Sequence, residues 1–117
     1  MLALSAGTKV FLAAGATDLR RSIDGLAILV AGQLELDPLS GHLFAFCNRR
    51  RTIVKVLYWD RNGFCLWQKR LERENFDWPR PEDEVIELGS RELTWLLEGI
   101  SIEQKNAHKK FSYSCAY

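Results

Sequence analysis

The sequence has few of the residues that build metal centres and disulfide frameworks. It contains three cysteines, none in a CxxC spacing, and two histidines, His42 and His108, that lie far apart. An odd and widely spaced set of cysteines is typical of reduced thiols, because disulfide frameworks use even numbers of cysteines. We therefore predict no metal site and no disulfide scaffold, and we expect the protein to be cytoplasmic.

Long apolar runs are also absent. No stretch approaches the roughly 20 apolar residues that cross a bilayer, and the apolar N-terminal segment has no basic residues before it. We therefore predict neither a membrane partner nor a signal peptide. An apolar fraction of 47% and a charged fraction of 26% are those of a folded globular protein. We predict one domain over residues 1–104, followed by a basic, flexible tail over residues 105–117.

The groups that could carry out catalysis are scattered. The chain has no glycine-rich phosphate loop and no Ser/His/Asp arrangement. Two-metal strand transfer needs converging carboxylates, but Asp60 falls in a predicted turn and Glu72 at a predicted strand end. Cys65 falls within a predicted strand, where a cysteine is more often a small buried hydrophobe than a nucleophile. We predict that the protein is not an enzyme and has no cofactor.

Charge is nearly balanced overall but is unevenly distributed along the chain. Sixteen Lys/Arg against fifteen Asp/Glu give a formal net charge of +1. Residues 43–73, however, contain eight basic and two acidic residues, whereas residues 75–104 contain two basic and eight acidic residues. A basic segment followed by an acidic one favours an oriented partner.

The basic segment also carries the strongest structural pattern in the chain. Two β-prone runs, Thr52–Trp59 and Phe64–Leu71, flank an Asn62-Gly63 step, which predicts a β-hairpin with positive φ angles at the asparagine and glycine. A four-residue loop pairs Trp59 with Phe64, and a two-residue loop pairs Arg61 with Phe64. Both registers give the same faces, because side chains alternate with a period of two. One face is predicted to carry Lys55, Leu57, Trp59, Phe64, Leu66, Gln68 and Arg70, and the other Val54, Val56, Tyr58, Cys65, Trp67, Lys69 and Leu71.

Apolar periodicity and capping residues place the other elements. Apolar residues at steps of three and four predict a helix over about 18–34 that begins at Thr17/Asp18 or at Ser22, with Arg20 and Asp24 paired on its outer face. Strands are predicted at Lys9–Ala13, Leu43–Cys47 and Val85–Leu88, and a second helix over about 90–99 with Ser90 as its N-cap. The predicted fold is α+β. It has an antiparallel sheet of four to five strands with a central meander over 43–71, packed against one long helix, with a second short C-terminal helix.

Short motifs occur in a characteristic order over about residues 8 to 100. They are Thr17-Asp18-Leu19-Arg20-Arg21 with Asp24-Gly25-Leu26, Asp37-Pro38-Leu39-Ser40-Gly41-His42-Leu43-Phe44, Asn48-Arg49-Arg50-Arg51, Lys55, Leu57-Tyr58-Trp59-Asp60, Gly63-Phe64-Cys65, Lys69-Arg70-Leu71-Glu72, Phe76, Trp78-Pro79 and Leu96-Leu97-Glu98-Gly99-Ile100. In these motifs the chain resembles the accessory-protein family encoded by the second open reading frame of IS66-type insertion sequences, often labelled TnpB. The resemblance implies a bacterial protein required for transposition alongside a separately encoded transposase. It implies no catalytic residues.

The basic hairpin is the candidate nucleic-acid surface. Lysine and arginine neutralise phosphates and release counterions, and the predicted binding residues are Arg49, Arg50, Arg51, Lys55, Lys69, Arg70 and Arg73. An alternative remains open in which these charges form a solvated rim or pair with the acidic residues of 82–92. For Arg20-Arg21, a local salt bridge to Asp18 or Asp24 is favoured over phosphate binding.

The second helix is the candidate protein-docking surface. Glu92 and Trp95 are the predicted partner-binding residues, because tryptophan is enriched at interface hot spots. Two hypotheses follow for the whole protein. In the first, it is a transposition accessory factor that contacts DNA through the hairpin. In the second, it is an adaptor that binds the transposase or a sister subunit without touching DNA.

Overall fold

A single sheet connects most of the chain. The structure, a computed structural model, describes residues 7–80 and 84–99. Its strands are β1 (Val10–Ala13), β2 (Leu43–Cys47), β3 (Ile53–Asp60), β4 (Gly63–Arg70) and β5 (Val85–Leu88), and its helices are α1 (Ile23–Gly32) and α2 (Ser90–Leu97). The α+β class, with five strands and two helices, is confirmed. The predicted tail at 105–117 lies outside the described residues.

The sheet is mixed and not wholly antiparallel. Its strand order is β4-β3-β2-β1-β5, and β1 pairs with β2 in parallel, whereas the other neighbours are antiparallel. The parallel pair follows from the connection, because α1 carries the chain back across the sheet between β1 and β2. β2 is consequently the middle strand, and the β3–β4 hairpin forms one edge of the sheet instead of its centre.

The first helix is shorter than the predicted helix over 18–34. The Ser22 hydroxyl accepts a hydrogen bond from the Gly25 N–H at 3.3 Å, which makes Ser22 the N-cap of α1. Asp18 does not cap the helix, because its carboxylate accepts hydrogen bonds from Arg20. At the other end, Glu35 has a φ of 57°, a left-handed conformation that is incompatible with further helix.

The hairpin has the predicted faces but a different turn. Trp59 pairs with Phe64, as one of the two predicted registers required, and Asp60 pairs with Gly63. The two turn residues are therefore Arg61 and Asn62. The positive φ, 58°, belongs to Arg61, whereas neither Asn62 nor Gly63 has one. The prediction of positive φ angles at Asn62 and Gly63 is therefore wrong. Gly63 is already paired with Asp60 in the sheet, so it has the extended backbone of a strand.

Each face of the sheet has its own apolar core. On one face, Leu26 and Val30 of α1 pack with Phe44, Phe46 and Leu57 of the sheet. The opposite face is covered by α2 and by the segment before β5, which contribute Leu93, Leu96, Phe76 and Trp78. Both hairpin faces are therefore covered along part of their length, and charged side chains reach solvent mainly at the hairpin ends. Among residues 7–80 and 84–99, neither helix is long and apolar enough to span a bilayer.

Candidate nucleic-acid interface

The connection between β2 and β3, residues 48–51, is held in shape by one asparagine. The Asn48 side-chain oxygen accepts hydrogen bonds from the backbone N–H groups of Thr52 at 2.9 Å and Ile53 at 3.1 Å. Its side-chain nitrogen donates to the Thr52 hydroxyl at 3.1 Å. The Arg51 N–H closes the turn by donating to the Asn48 carbonyl at 3.0 Å. These bonds satisfy the turn's backbone without using any of the arginine side chains.

Residues 75 and 76 form hydrogen bonds to the same connection. The Phe76 N–H donates to the Arg51 carbonyl at 2.7 Å, and the Asn75 side-chain amide donates to the Arg50 carbonyl. Arg51 takes a φ of 60° and is half-buried, whereas Arg49 and Arg50 are exposed. Within the described ranges, neither exposed guanidinium has a carboxylate within ion-pair distance. Two cations therefore project from a fixed backbone.

Two of the predicted DNA-binding lysines contact the protein itself. The Lys55 ammonium donates a hydrogen bond to the Leu19 carbonyl at 2.8 Å, and the Lys69 ammonium donates to the Leu97 carbonyl at 2.8 Å. Both lysines are half-buried. Each one joins the hairpin to a segment outside the sheet, so each has a structural contact in addition to its charge.

The remaining predicted cations lie at the end of β4. Arg70 Nε is 3.1 Å from Glu72 Oε2, and the two side chains are 63% and 72% exposed. An ion pair this exposed contributes little to stability and is readily exchanged for another anion. Arg73 is exposed in the loop that follows.

Arg20 forms a local salt bridge, but with Asp18 and not with Asp24. Arg20 precedes α1, so it cannot make the predicted helical pair with Asp24. Its Nε and Nη2 atoms lie 2.9 Å and 2.8 Å from the two carboxylate oxygens of Asp18, a bidentate contact. The Arg20 guanidinium holds the pKa of the Asp18 carboxyl well below its usual range. Asp18 therefore stays ionised at any physiological pH.

These segments enclose an open pocket of about 590 Å³. Residues 16–20 form one wall, residues 48–50 form the other, and Ile53, Lys55 and Gln68 line the sheet between them. The cross-strand pairing of Lys55 with Gln68 follows from the predicted register. The approach of residues 16–20 to the hairpin was not predicted, because no local pattern reports a contact across 36 residues. Thr17 and Gln68 are thus candidate site residues that the sequence pattern did not identify. For Arg20 the sequence favoured a salt bridge over phosphate binding.

The predicted docking residues lie on α2. Glu92 accepts a hydrogen bond from the Gly89 N–H at 3.1 Å, so it caps the helix, and the N-cap is Gly89 instead of Ser90. Trp95 is half-buried. His42 accepts a hydrogen bond from the Lys9 N–H at its Nδ1 atom. No group of three metal-ligating side chains occurs in the part of the chain that the structure describes.

Comparison with known proteins places this architecture in a family. Residues 8–107 match the family model described as "IS66 Orf2 like protein". The chain is 40% identical over 100 residues to the uncharacterized protein y4hO of Sinorhizobium fredii (strain NBRC 101917 / NGR234), covering 86% of this chain and 87% of that protein. It is 32% identical over 100 residues to the uncharacterized protein y4jC of the same strain, with 86% of each chain covered. No solved structure matches. The chain belongs to the IS66 Orf2-like family, whose members are associated with transposition of insertion sequences.

Proposed function

We propose that the protein is a non-catalytic accessory factor that acts with the transposase of its element and contacts DNA through the connection 48–51. The observation that carries this proposal is the pair of exposed guanidinium groups, Arg49 and Arg50, on a backbone fixed by Asn48 and Phe76. Because the backbone that carries these cations is already held, only their side chains lose conformational freedom on meeting phosphates, so more of the electrostatic attraction is retained as affinity.

The other predicted cations have graded roles in this proposal. Arg73 is exposed and adds to the positive field, and Arg70 exchanges Glu72 for phosphate when DNA approaches. Lys55 and Lys69 contribute charge while their hydrogen bonds to Leu19 and Leu97 hold them in place. Family membership supports the transposition role, and the cation geometry supports the DNA contact.

The test is a salt titration of binding to duplex DNA from the element's ends, followed by fluorescence anisotropy. Each neutralised phosphate contributes about 0.9 to the slope of log affinity against log salt concentration. Replacing both Arg49 and Arg50 by Ala should lower that slope by about two units. Arg91→Ala is the matched control, because Arg91 is an exposed arginine on α2 outside the basic region. Absence of binding to any DNA at low salt would rule the proposal out.

A second candidate function is the adaptor that binds the transposase without touching DNA. The observation that favours it is Ile28 on α1, whose side chain is 69% exposed although the helix is apolar on several sides. Co-purification with the transposase would then survive nuclease treatment and high salt. It should weaken in Ile28→Ser or Trp95→Ala variants and remain intact in the Arg49→Ala/Arg50→Ala variant.

A further inference from the structure

We propose that the pocket between residues 16–20 and 48–50 binds one unpaired nucleotide of a DNA strand, with its phosphate held by Arg20, Arg49 and Lys55. This inference rests on the proposed function and assigns its ligand. The pocket gathers four basic side chains from three separate segments: Arg20, Arg49, Arg50 and Lys55. Among the described residues that line it, only Asp18 has a carboxylate. The imbalance gives the pocket a net positive field in which an anion is stabilised.

Asp18 occupies the position on Arg20 that a phosphate would take. The two oxygens of Asp18 meet Nε and Nη2 of Arg20 in the same bidentate geometry with which arginine binds phosphate. The Arg20 side chain is 91% exposed, so solvent screens this pair, and it contributes much less than the lowered Asp18 pKa and the bidentate geometry would mean in a buried site. An incoming phosphate can therefore displace Asp18 from Arg20 at little cost. Asp18 therefore competes with an added anion for the Arg20 guanidinium and lowers the affinity of the pocket for that anion.

The two walls of the pocket are fixed in advance. The Thr17 N–H donates to the Cys47 carbonyl at 2.8 Å, and Lys55 ties Leu19 to β3. The opposite wall is held by the hydrogen bonds of Asn48. Lys55 uses one of its three N–H donors for Leu19, so two donors remain for a ligand. A site prepared in this way binds with less loss of conformational entropy.

The size and lining of the pocket favour an unpaired nucleotide over duplex DNA. A volume of about 590 Å³ falls in the range of small-molecule sites. Leu19 and Ile53 supply apolar surface, and the Gln68 amide supplies both a donor and an acceptor for a base edge. In a duplex the bases are stacked inside, so its phosphates would reach only the exposed rim at Arg49 and Arg50. An unpaired nucleotide can enter with its base.

The experiment compares two DNA probes and three variants. Anisotropy of a labelled twelve-nucleotide oligothymidylate reports single-strand binding, and a blunt-ended duplex of two complementary DNA strands reports duplex binding. Asp18→Asn frees Arg20 while its amide oxygen can still accept the Arg20 backbone N–H. We expect it to tighten oligothymidylate binding by about threefold or more, the scale of one charge-assisted contact. Arg20→Ala and Gln68→Ala should weaken oligothymidylate binding by similar factors and leave duplex binding within about twofold.

A second measurement locates the site directly. Thymidine 5′-monophosphate added to the ¹⁵N-labelled protein should shift the amide resonances of residues 17–20 and 48–50, and not those of α2. Unchanged oligothymidylate affinity in both Asp18→Asn and Arg20→Ala, or nucleotide-induced shifts elsewhere, would overturn the pocket assignment. If the pocket assignment failed in this way but the Arg49→Ala/Arg50→Ala variant lost duplex binding, the proposed function would still be supported. If the unmodified protein bound neither probe, the proposed function and the pocket would both be refuted.

Discussion

Two basic segments lie at the open end of the hairpin: the connection 48–51 before β3, and the end of β4 with the loop that follows it. Their cations have different contacts. The connection 48–51 presents Arg49 and Arg50 to solvent, because the Asn48 side chain satisfies the backbone of the turn. At the end of β4, by contrast, Lys69 donates to the Leu97 carbonyl and Arg70 meets Glu72. The number of basic residues in a segment therefore does not measure the charge available to a partner. What decides is whether an acceptor elsewhere in the protein lies within reach of each cation.

The same comparison explains the position of the candidate pocket. The pocket is lined by residues of the connection 48–50 and by no residue beyond Gln68 at the end of β4. Lys55, opposite Gln68, contributes one hydrogen bond to fix a wall and retains two donors. A lysine can therefore be both a structural contact and a ligand contact. Lys69 lies on the opposite face of the hairpin, with Val54 and Trp67, so it cannot join the pocket.

The burial of Cys47 tests how firmly the end of β2, next to the connection 48–51, is shielded from solvent. Burial raises the pKa of the Cys47 thiol to about 12, so its reactive thiolate is scarce at pH 8. In a Cys65→Ser/Cys115→Ser variant, iodoacetamide should modify Cys47 about a thousandfold more slowly in the native than in the urea-unfolded protein. The native rate should rise about tenfold per pH unit. Comparable native and unfolded rates would mean that the end of β2 opens readily to solvent.

The next prediction concerns the hydrogen bonds that hold the connection 48–51. Asn48→Ala removes the acceptor of two backbone N–H groups in a partly buried turn, and we expect a loss of about 2–3 kcal/mol in the free energy of unfolding. Urea denaturation measures it. Asn62→Ala is the matched control in the other connection of the hairpin. Asn62 is exposed, so its replacement should cost less than about 0.5 kcal/mol. Equal losses for the two variants would show that Asn48 does not hold the connection.

A third prediction compares Lys69, whose ammonium group binds a backbone carbonyl, with the exposed Arg49. The quantity compared is the free energy of unfolding. Lys69→Met leaves the Leu97 carbonyl without its side-chain donor and should destabilise the protein by about 1 kcal/mol. Arg49→Met should change the free energy of unfolding by less than about 0.5 kcal/mol, because Arg49 is exposed. Thermal unfolding of the two variants in parallel is the measurement. A larger loss of unfolding free energy in Arg49→Met than in Lys69→Met would mean that Arg49, and not Lys69, has the structural role.

Much of the fold could be predicted from periodicity. Side-chain alternation gave the correct faces of the hairpin, and β2 and β5 begin and end where predicted. The parallel pairing of β1 with β2 could not be predicted, since it depends on where α1 packs and not on local sequence. The start of α1 could not be chosen because Thr17, Asp18 and Ser22 are all good caps. In the folded protein Asp18 binds Arg20, which leaves Ser22.

The candidate site was less predictable than the fold, for a physical reason. Exposure of Arg49 and Arg50 follows from their place in a tight connection, so a local pattern was enough. The acceptors of Lys55 and Lys69 are backbone carbonyls 36 and 28 residues away, and every residue has a carbonyl. No residue type therefore marks such a partner in the sequence. The wall formed by residues 16–20 escaped prediction for the same reason.

The exposed ion pair between Arg70 and Glu72 determines whether Arg70, at the end of β4, is available to an anion. Arg70 and Glu72 are both well exposed, so a double-mutant cycle with Arg70→Ala and Glu72→Ala should give a coupling of at most about 0.5 kcal/mol. The coupling should vanish in 1 M salt, where the Debye length is about 3 Å. A coupling above about 1 kcal/mol would mean that Glu72 truly withholds Arg70 from an anion. A negligible coupling instead makes Arg70 available at little cost, so Lys69 alone would distinguish the end of β4 from the connection 48–51.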